Sequence, residues 1–210
     1  MMKYSVWLLP FVCAKRTIRL LYTSLVIPLK TKLLCMMWGI SCGKGVSFRG
    51  ETIIRAYEKK SICIGDGTVF ESRANYNLVG LMNPTILCAP PGGRIIIGHH
   101  SGFSSVVMNA RSTIIIGNYV NVGGNVRILD NDFHPLAWED RRPPEVGAKV
   151  RKKDIIIEDD VFIGTNAIIL KGSHIGARAI VAAGSVVFGL DVPPDSIVKG
   201  NPAKVVKLKS

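Results

Sequence analysis

No aspartate or glutamate occurs in the first fifty residues, although that stretch carries Lys3, Lys15, Arg16, Arg19, Lys30, Lys32, Lys44 and Arg49. The chain also lacks a Cys-x-x-Cys pair, an uncharged run near the ~20 residues a spanning helix needs, and histidines at metal-ligand spacing. Each absence excludes something. The five cysteines (Cys13, Cys35, Cys42, Cys63, Cys88) are scattered and odd in number, which predicts free thiols in a reducing compartment. The apolar stretches Tyr4 to Ala14, Leu20 to Leu29 and Leu33 to Gly43 are too short to cross a bilayer, and no Sec-type cleavage site follows the first. A cytoplasmic protein is expected, with no metal. Nucleic acid is not an expected partner, because the cations are not interleaved with stacking aromatics on strands.

What is present is a repeat. Ile157, Ile163, Ile169, Ile175, Val181 and Val187 stand six residues apart. Neither a helix, with period 3.6, nor a flat strand, with period 2, places one apolar residue on one face at that interval. A solenoid that makes a short strand and a corner every six residues does. Such a corner needs slim or β-branched neighbours, and Val161, Ala167, Ser173, Ala179 and Ser185 supply them. The pattern recurs at Ile116, Val122 and Ile128, and more loosely at Ile64 with Phe70 and Ile97 with Phe103. From Ile97 to Ile116 the register slips by one residue, as a bulged corner would produce.

The spacing predicts three regions: a basic helical arm over 1–45, a β-helix over 46–192 with a long loop at 129–154, and a C-terminal tail over 193–210. Residues 41 to 60 read as a transition, with repeats beginning near Ile62. Residues 71 to 94 read as a lateral excursion, and Pro193-Pro194-Asp195 as the end of the coil. Pro28 should interrupt any helix through Ile18 to Trp38. The arm mixes cations with Leu8, Leu9, Ile18, Leu20, Leu21, Val26, Leu33, Leu34, Trp7 and Trp38. Two compatible roles follow: a cap over the open end of the solenoid, or a peripheral contact of residues 1–40 with an anionic membrane.

Between Ile128 and Ile157 lie three hexads and eleven further residues, so one coil throws out a loop. His134 stands where the register would require an aliphatic side chain. The chain must leave the coil there, and long loops on rigid scaffolds are where chemistry tends to sit. His99, His100 and His174 read as solvated corner residues, as do Asp159 and Asp160.

Asn131-Asp132-Phe133-His134-Pro135, Ile163-Gly164-Thr165-Asn166, Ala183-Gly184-Ser185-Val186-Val187 and Gly200-Asn201-Pro202-Ala203-Lys204-Val205-Val206 form a set of four segments. Together they resemble the hexapeptide-repeat acyltransferases, particularly the galactoside, maltose and capsular or exopolysaccharide O-acetyltransferases. The resemblance covers residues 62 to 208. It implies an all-β fold, a left-handed parallel β-helix that assembles as a homotrimer with active sites between subunits. It also implies acetyl-CoA as co-substrate, a sugar or glycan hydroxyl as acceptor, and His134 as general base. A histidine suits that role because its unperturbed pKa lies near ~6.5. By the same likeness Thr165, Ala183, Lys204 and Lys207 line the coenzyme groove. Ser104 and Ser105 are the side-chain candidates to contact the acceptor and the tetrahedral oxyanion, and Asp130 and Asp132 are expected to orient the imidazole or bind acceptor hydroxyls. The chain departs from the family pattern at Lys204 and Lys207, where arginines are common. It departs also at Phe188-Gly189, which replace a Thr-Lys pair, and at Ser104, where the sugar enzymes commonly have Asn. A gamma-class carbonic anhydrase shares the solenoid but needs three zinc-binding histidines at a spacing absent here. N-acetylation of an amine and a non-catalytic β-helix remain as alternatives, and succinyl is not separated from acetyl.

Overall fold

Each hexad makes one short strand and one corner, and three hexads bring the chain back above itself, so residues eighteen apart pair in register: Ile157 with Ile175, Ile163 with Val181, Ile169 with Val187. The protein is seen here as a computed structural model, which describes residues 14, 17–18, 21–74, 77–142 and 150–206. Its strands form three parallel sheets wound as a left-handed β-helix. The first sheet contains Ser41–Cys42, Ile62–Ile64, Arg94–Ile97, Thr113–Ile116, Ile155–Ile157, His174–Ile175 and Asp191–Val192. The second contains Ser47–Arg49, Val69–Glu71, Gly102–Ser104, Asn121–Val122, Phe162–Ile163, Ile180–Val181 and Ile197–Gly200, closed by Ala203–Val206 running antiparallel. The third contains Thr52–Ala56, Thr85–Ala89, Val107–Asn109, Arg127–Leu129, Ile168–Leu170 and Val186–Phe188.

The hexad residues stack inside the tube, and the slim companions Val161, Ala167, Ser173, Ala179 and Ser185 fill its corners, all buried. Towards the N-terminus the stack becomes aromatic: Phe48, Phe70 and Phe103 lie ring on ring at 4.7 and 4.9 Å. Between the first and second sheets the third corner residue takes the left-handed region, as at Tyr119 (φ 55) and Arg178 (φ 61). The residue before it caps the coil beneath. Asp66 accepts from the Lys44 N–H, His99 Nδ1 from the Asp66 N–H, Asn118 from the His99 N–H and Asp159 from the Asn118 N–H, at 2.7–3.0 Å. His99 and Asp159 are therefore exposed corner residues with a scaffold role, and His100 stacks on Tyr119 at 5.3 Å.

Several expectations need correction. The coil begins at Ser41, because Gly43, Gly45 and Gly50 are its corners and Phe48 and Ile54 already occupy the core. It resumes at Thr85 after leaving at Ser72, since Leu87 stacks under Met108. It continues past Val192 to Gly200 through a corner made by Pro193-Pro194-Asp195. The slip between Ile97 and Ile116 is not one bulge. Phe103 to Met108 is one residue short and Met108 to Ile116 two long, measured against Ile116, Val122 and Ile128. His174 lies in a strand, not a corner, with Glu158 Oε1 at 2.7 Å and Asp191 Oδ1 at 3.1 Å.

The arm also differs from expectation. Pro28 does not interrupt the helix but sits in the first turn of α1 (Ile27–Met37), which runs directly on from a π-helical turn at Tyr22–Val26. In the first turn of a helix the backbone N–H that proline lacks would have had no intrahelical partner, and its fixed φ suits the helix. Cys35, near the end of α1, and Cys42, in the first strand, form a disulfide, whereas Cys63 and Cys88 are free thiols and Cys13 lies outside the described residues. The odd cysteine count concealed that pair. Among the described residues no helix is long and apolar enough to cross a membrane.

Candidate active site

His134 is placed by what happens at the two roots of its loop. The chain leaves the third sheet at Leu129, and the next residue, Asp130, is fully buried. Its carboxylate accepts from the backbone N–H of Arg111 (2.8 Å) and Ser112 (2.7 Å), the lengthened corner of the coil beneath. Burial raises this carboxyl above the ordinary range, against the lowering effect of hydrogen bonds from Asn131, Arg111 and Ser112. Asn131, also buried, donates to Asn109 Oδ1 and Asp130 Oδ1, each at 3.0 Å, and accepts from the Phe133 N–H at 2.9 Å. The returning arm is stitched to the outgoing one. Asp132 N–H donates to Arg151 O, and Lys153 N–H to Asp130 O.

Above this root the chain turns outward. Phe133 adopts φ 63, the His134 N–H donates to Asp132 O at 2.7 Å, and the His134 side chain is exposed beside a buried Pro135. Phe133, Leu136 and Trp138 stand exposed around it, and the Arg142 guanidinium lies 4.2 Å over the Trp138 ring. Arg141 Nη1 donates to the carbonyls of Pro135 and Leu136, which holds this crown together. Residues 143–149 of the expected loop lie outside the described residues.

The other expected site residues divide between two edges of the prism. Asp132 is on the His134 edge and pairs with Lys171, whose ammonium also lies 4.6 Å from the Phe188 ring. Asp130 shares the edge but is enclosed, with its carboxylate engaged by backbone donors, so it anchors the loop and does not face an acceptor. Thr165, Ala183, Ser104 and Ser105 lie on the edge between the second and third sheets. The third-sheet strands separating the edges are three residues long in the upper coils, on the order of 10 Å at ~3.3 Å per residue. One chain thus does not bring the imidazole together with Thr165 and Ala183.

That second edge is flat and close-packed. Thr165 Oγ1 donates to Gly124 O at 2.8 Å, and a Cβ on Gly164 would lie 2.5 Å from the Ala183 nitrogen, so the backbones stack with no side chain between them. Ala183 is exposed, and a Cβ on Gly184 would meet nothing within 4 Å. A long slender ligand has room along this edge. Lys204 is exposed on the terminal hairpin strand, opposite Lys199, and Lys207 lies outside the described residues. Lower on the edge the excursion over 72–84 lies against the coil. Ser104 accepts from Asn77 Nδ2 (2.8 Å), Ser105 is buried with its carbonyl taken by Asn83 Nδ2 (2.8 Å), and Asn125 bonds the Met82 N–H and Gly80 O (both 2.9 Å). Ser105 therefore does not reach a ligand. Ser104 borders a cavity of about 240 Å³ whose other walls include Glu71, Gly102, Asn121, Gly123 and Phe162.

Asn77, Asn125 and Lys171 carried no signal in the sequence, and Asn83-Pro84 was read only as a break in the period.

Residues 154–189 match the family described as bacterial transferase hexapeptide (six repeats). Among solved structures, a hexapeptide-repeat containing acetyltransferase from Vibrio cholerae O1 biovar eltor, complexed with acetyl coenzyme A, has TM-score 0.57 and 27% identity, over 98% of this chain and 91% of that one. A galactoside acetyltransferase in complex with coenzyme A shares the fold, with TM-score 0.57 and 19% identity over 99% and 84% of the two chains. Among curated proteins, the 2,3,4,5-tetrahydropyridine-2,6-dicarboxylate N-acetyltransferase of Staphylococcus aureus (strain JH9) is 57% identical over 56 residues, 27% of this chain and 23% of that protein. The chain thus spans about a quarter of the length of the curated relatives it matches. In repeat and coil the chain is similar to the hexapeptide-repeat acetyltransferases.

Proposed function

We propose that this chain is an acetyl-CoA-dependent O-acetyltransferase acting on a sugar hydroxyl, in capsular or exopolysaccharide biosynthesis, with His134 as general base. The observation that carries the reading is the presentation of His134, exposed on a loop whose roots are fixed by the buried Asp130 and Asn131. Positioning of this kind is what a general base requires. The imidazole takes the proton of the acceptor hydroxyl as its oxygen attacks the thioester carbonyl. The tetrahedral oxyanion collapses, the carbon–sulfur bond breaks, and the proton passes from the imidazolium to the departing thiolate. No acyl-enzyme forms. Asp132, held by Lys171, is close in sequence to the imidazole and suited to orient it or to bind acceptor hydroxyls.

The open edge at Thr165, Ala183 and Gly184 fits the pantetheine arm of acetyl-CoA, with Lys204 and Lys207 as charges for its phosphates. Because His134 stands on another edge, a complete site draws on two copies of the chain. The homotrimer supplies them, and the exposed Phe133, Leu136 and Trp138 are the surface the loop lays on its neighbour. The enzyme works in the cytoplasm.

The experiment is a transfer assay with acetyl-CoA against sugars, nucleotide sugars, lipid-linked oligosaccharides and amines. His134→Ala should lower turnover at least ~100-fold with the assembly and melting temperature unchanged. Near-normal turnover in that variant would remove the mechanism. A second reading, transfer to an amine, is favoured by the N-acetyltransferase likeness over 56 residues. Mild alkali separates the two, since it releases acetate from an ester and not from an amide.

A further inference from the structure

The helix that closes the first coil is apolar on both of its sides. One stripe recurs at three- and four-residue spacing and faces the coil: Ile27 and Thr31 are buried, and Leu34, Cys35 and Trp38 pack on the core. It caps the coil chemically as well, because Thr31 Oγ1 accepts the Phe48 N–H (3.1 Å) that has no coil below to bond with, and the Lys30 ammonium reaches Gly50 O. The opposite face is where a soluble helix carries charge. Leu29 is about 200° around from Ile27, and Leu25, Leu29, Leu33 and Met36 form one outward stripe. These side chains are 45–70% exposed. Lys30 is turned to the coil, which leaves Lys32 as the exposed cation among the described residues of α1.

We propose that this outward face is a docking surface for an anionic membrane, with α1 lying in the plane of the headgroups and the solenoid standing on its N-terminal end. Charge selects the bilayer over a second copy of the chain. Residues 1–50 hold eight cations and no carboxylate, so two such arms repel, whereas acidic lipids neutralise both the arm and the cost of gathering its cations. Among the described residues no helix is long and apolar enough to span, so α1 lies flat with its leucines and methionines in the acyl boundary. The cap contacts of Thr31 and Lys30 fix that face relative to the coil. The His134 loop leaves the fourth coil, three coil spacings of about 4.8 Å above the first, roughly 15 Å from it. An acceptor glycan still attached to its lipid is then within reach, a consequence that rests on the acetyltransferase reading.

The test is vesicle co-sedimentation of the full chain, read without any acetyl transfer. Vesicles with roughly 30% phosphatidylglycerol should retain the protein at low salt and release much of it at about 0.5 M salt, and pure phosphatidylcholine should bind far less. Leu29→Glu and the milder Met36→Ser should weaken retention, the first about tenfold or more, with melting temperature and assembly mass as in the parent. Equal retention of parent and Leu29→Glu, or no preference for phosphatidylglycerol, would overturn the proposal. So would a fall in assembly mass in Met36→Ser, which would make the face a contact between copies.

Discussion

The coil gives up its repeat between Ser72 and Pro84 and again between Asp130 and Asp154, and the two segments are held in opposite ways. The first lies along the edge, tied by the neutral amides of Asn77, Asn83 and Asn125. It leaves Leu78 and Met82 almost fully exposed. The second stands away from its edge on a charged root, Asp130, whose carboxylate is closed off by backbone donors. A segment laid flat reshapes the surface beneath it, while a segment raised on a rigid root can present one side chain. Changes in the two should therefore separate, one altering what binds and the other altering reaction rate.

The sharpest test of that contrast is at His134, where Ala should remove at least ~100-fold of turnover and leave the acceptor KM nearly unchanged. Next is the root. Asp130→Ala leaves the part-buried N–H groups of Arg111 and Ser112 without their acceptor, at roughly 1 kcal/mol each. The melting temperature should fall, and kcat should fall with it as the imidazole loses its fixed position. A variant as stable and active as the parent would show that the root does not set the loop.

The same contrast explains what was legible in the sequence. Where the coil is regular, from Ile155 to Val187, the aliphatic and slim positions fell at sixes and both sets are buried. The departure of the loop was legible because His134 interrupts that count. The first coil was not, since Phe48 and Ile54 hold the spacing with an aromatic in place of an aliphatic residue, and Gly43, Gly45 and Gly50 suggested turns outside the solenoid. In a β-helix every corner is a turn, so glycine and proline mark its continuation as readily as its end. Pro193-Pro194 misled for that reason. Asp130 was misassigned because sequence gives proximity to His134 but not direction, and its carboxylate points inward.

On the flat segment the expected effect is smaller. Asn125→Ala removes both bonds that hold Gly80 and Met82, leaving two loop groups that can turn to water, so about 1 kcal/mol or less of stability should be lost. The acceptor KM should rise more than kcat falls. The reverse pattern would make this segment, not the raised one, the seat of the chemistry.

Smallest of all is a pH effect on the regular coils, outside both segments. The hydrogen bond from the His174 imidazole, with a further one from the Ala177 N–H, holds the Glu158 carboxyl below its usual range. A depressed folded value means that stability is fully present above the unfolded pKa near ~4.3 and is lost as pH falls through the folded value. Both side chains are about 40% exposed, so solvent screens most of the gain. His174→Ala should shift the acid limb of a denaturation curve slightly and leave turnover at neutral pH intact. Loss of turnover in that variant would break the division between scaffold and site, because it would give a catalytic part to an imidazole that here only braces two stacked coils.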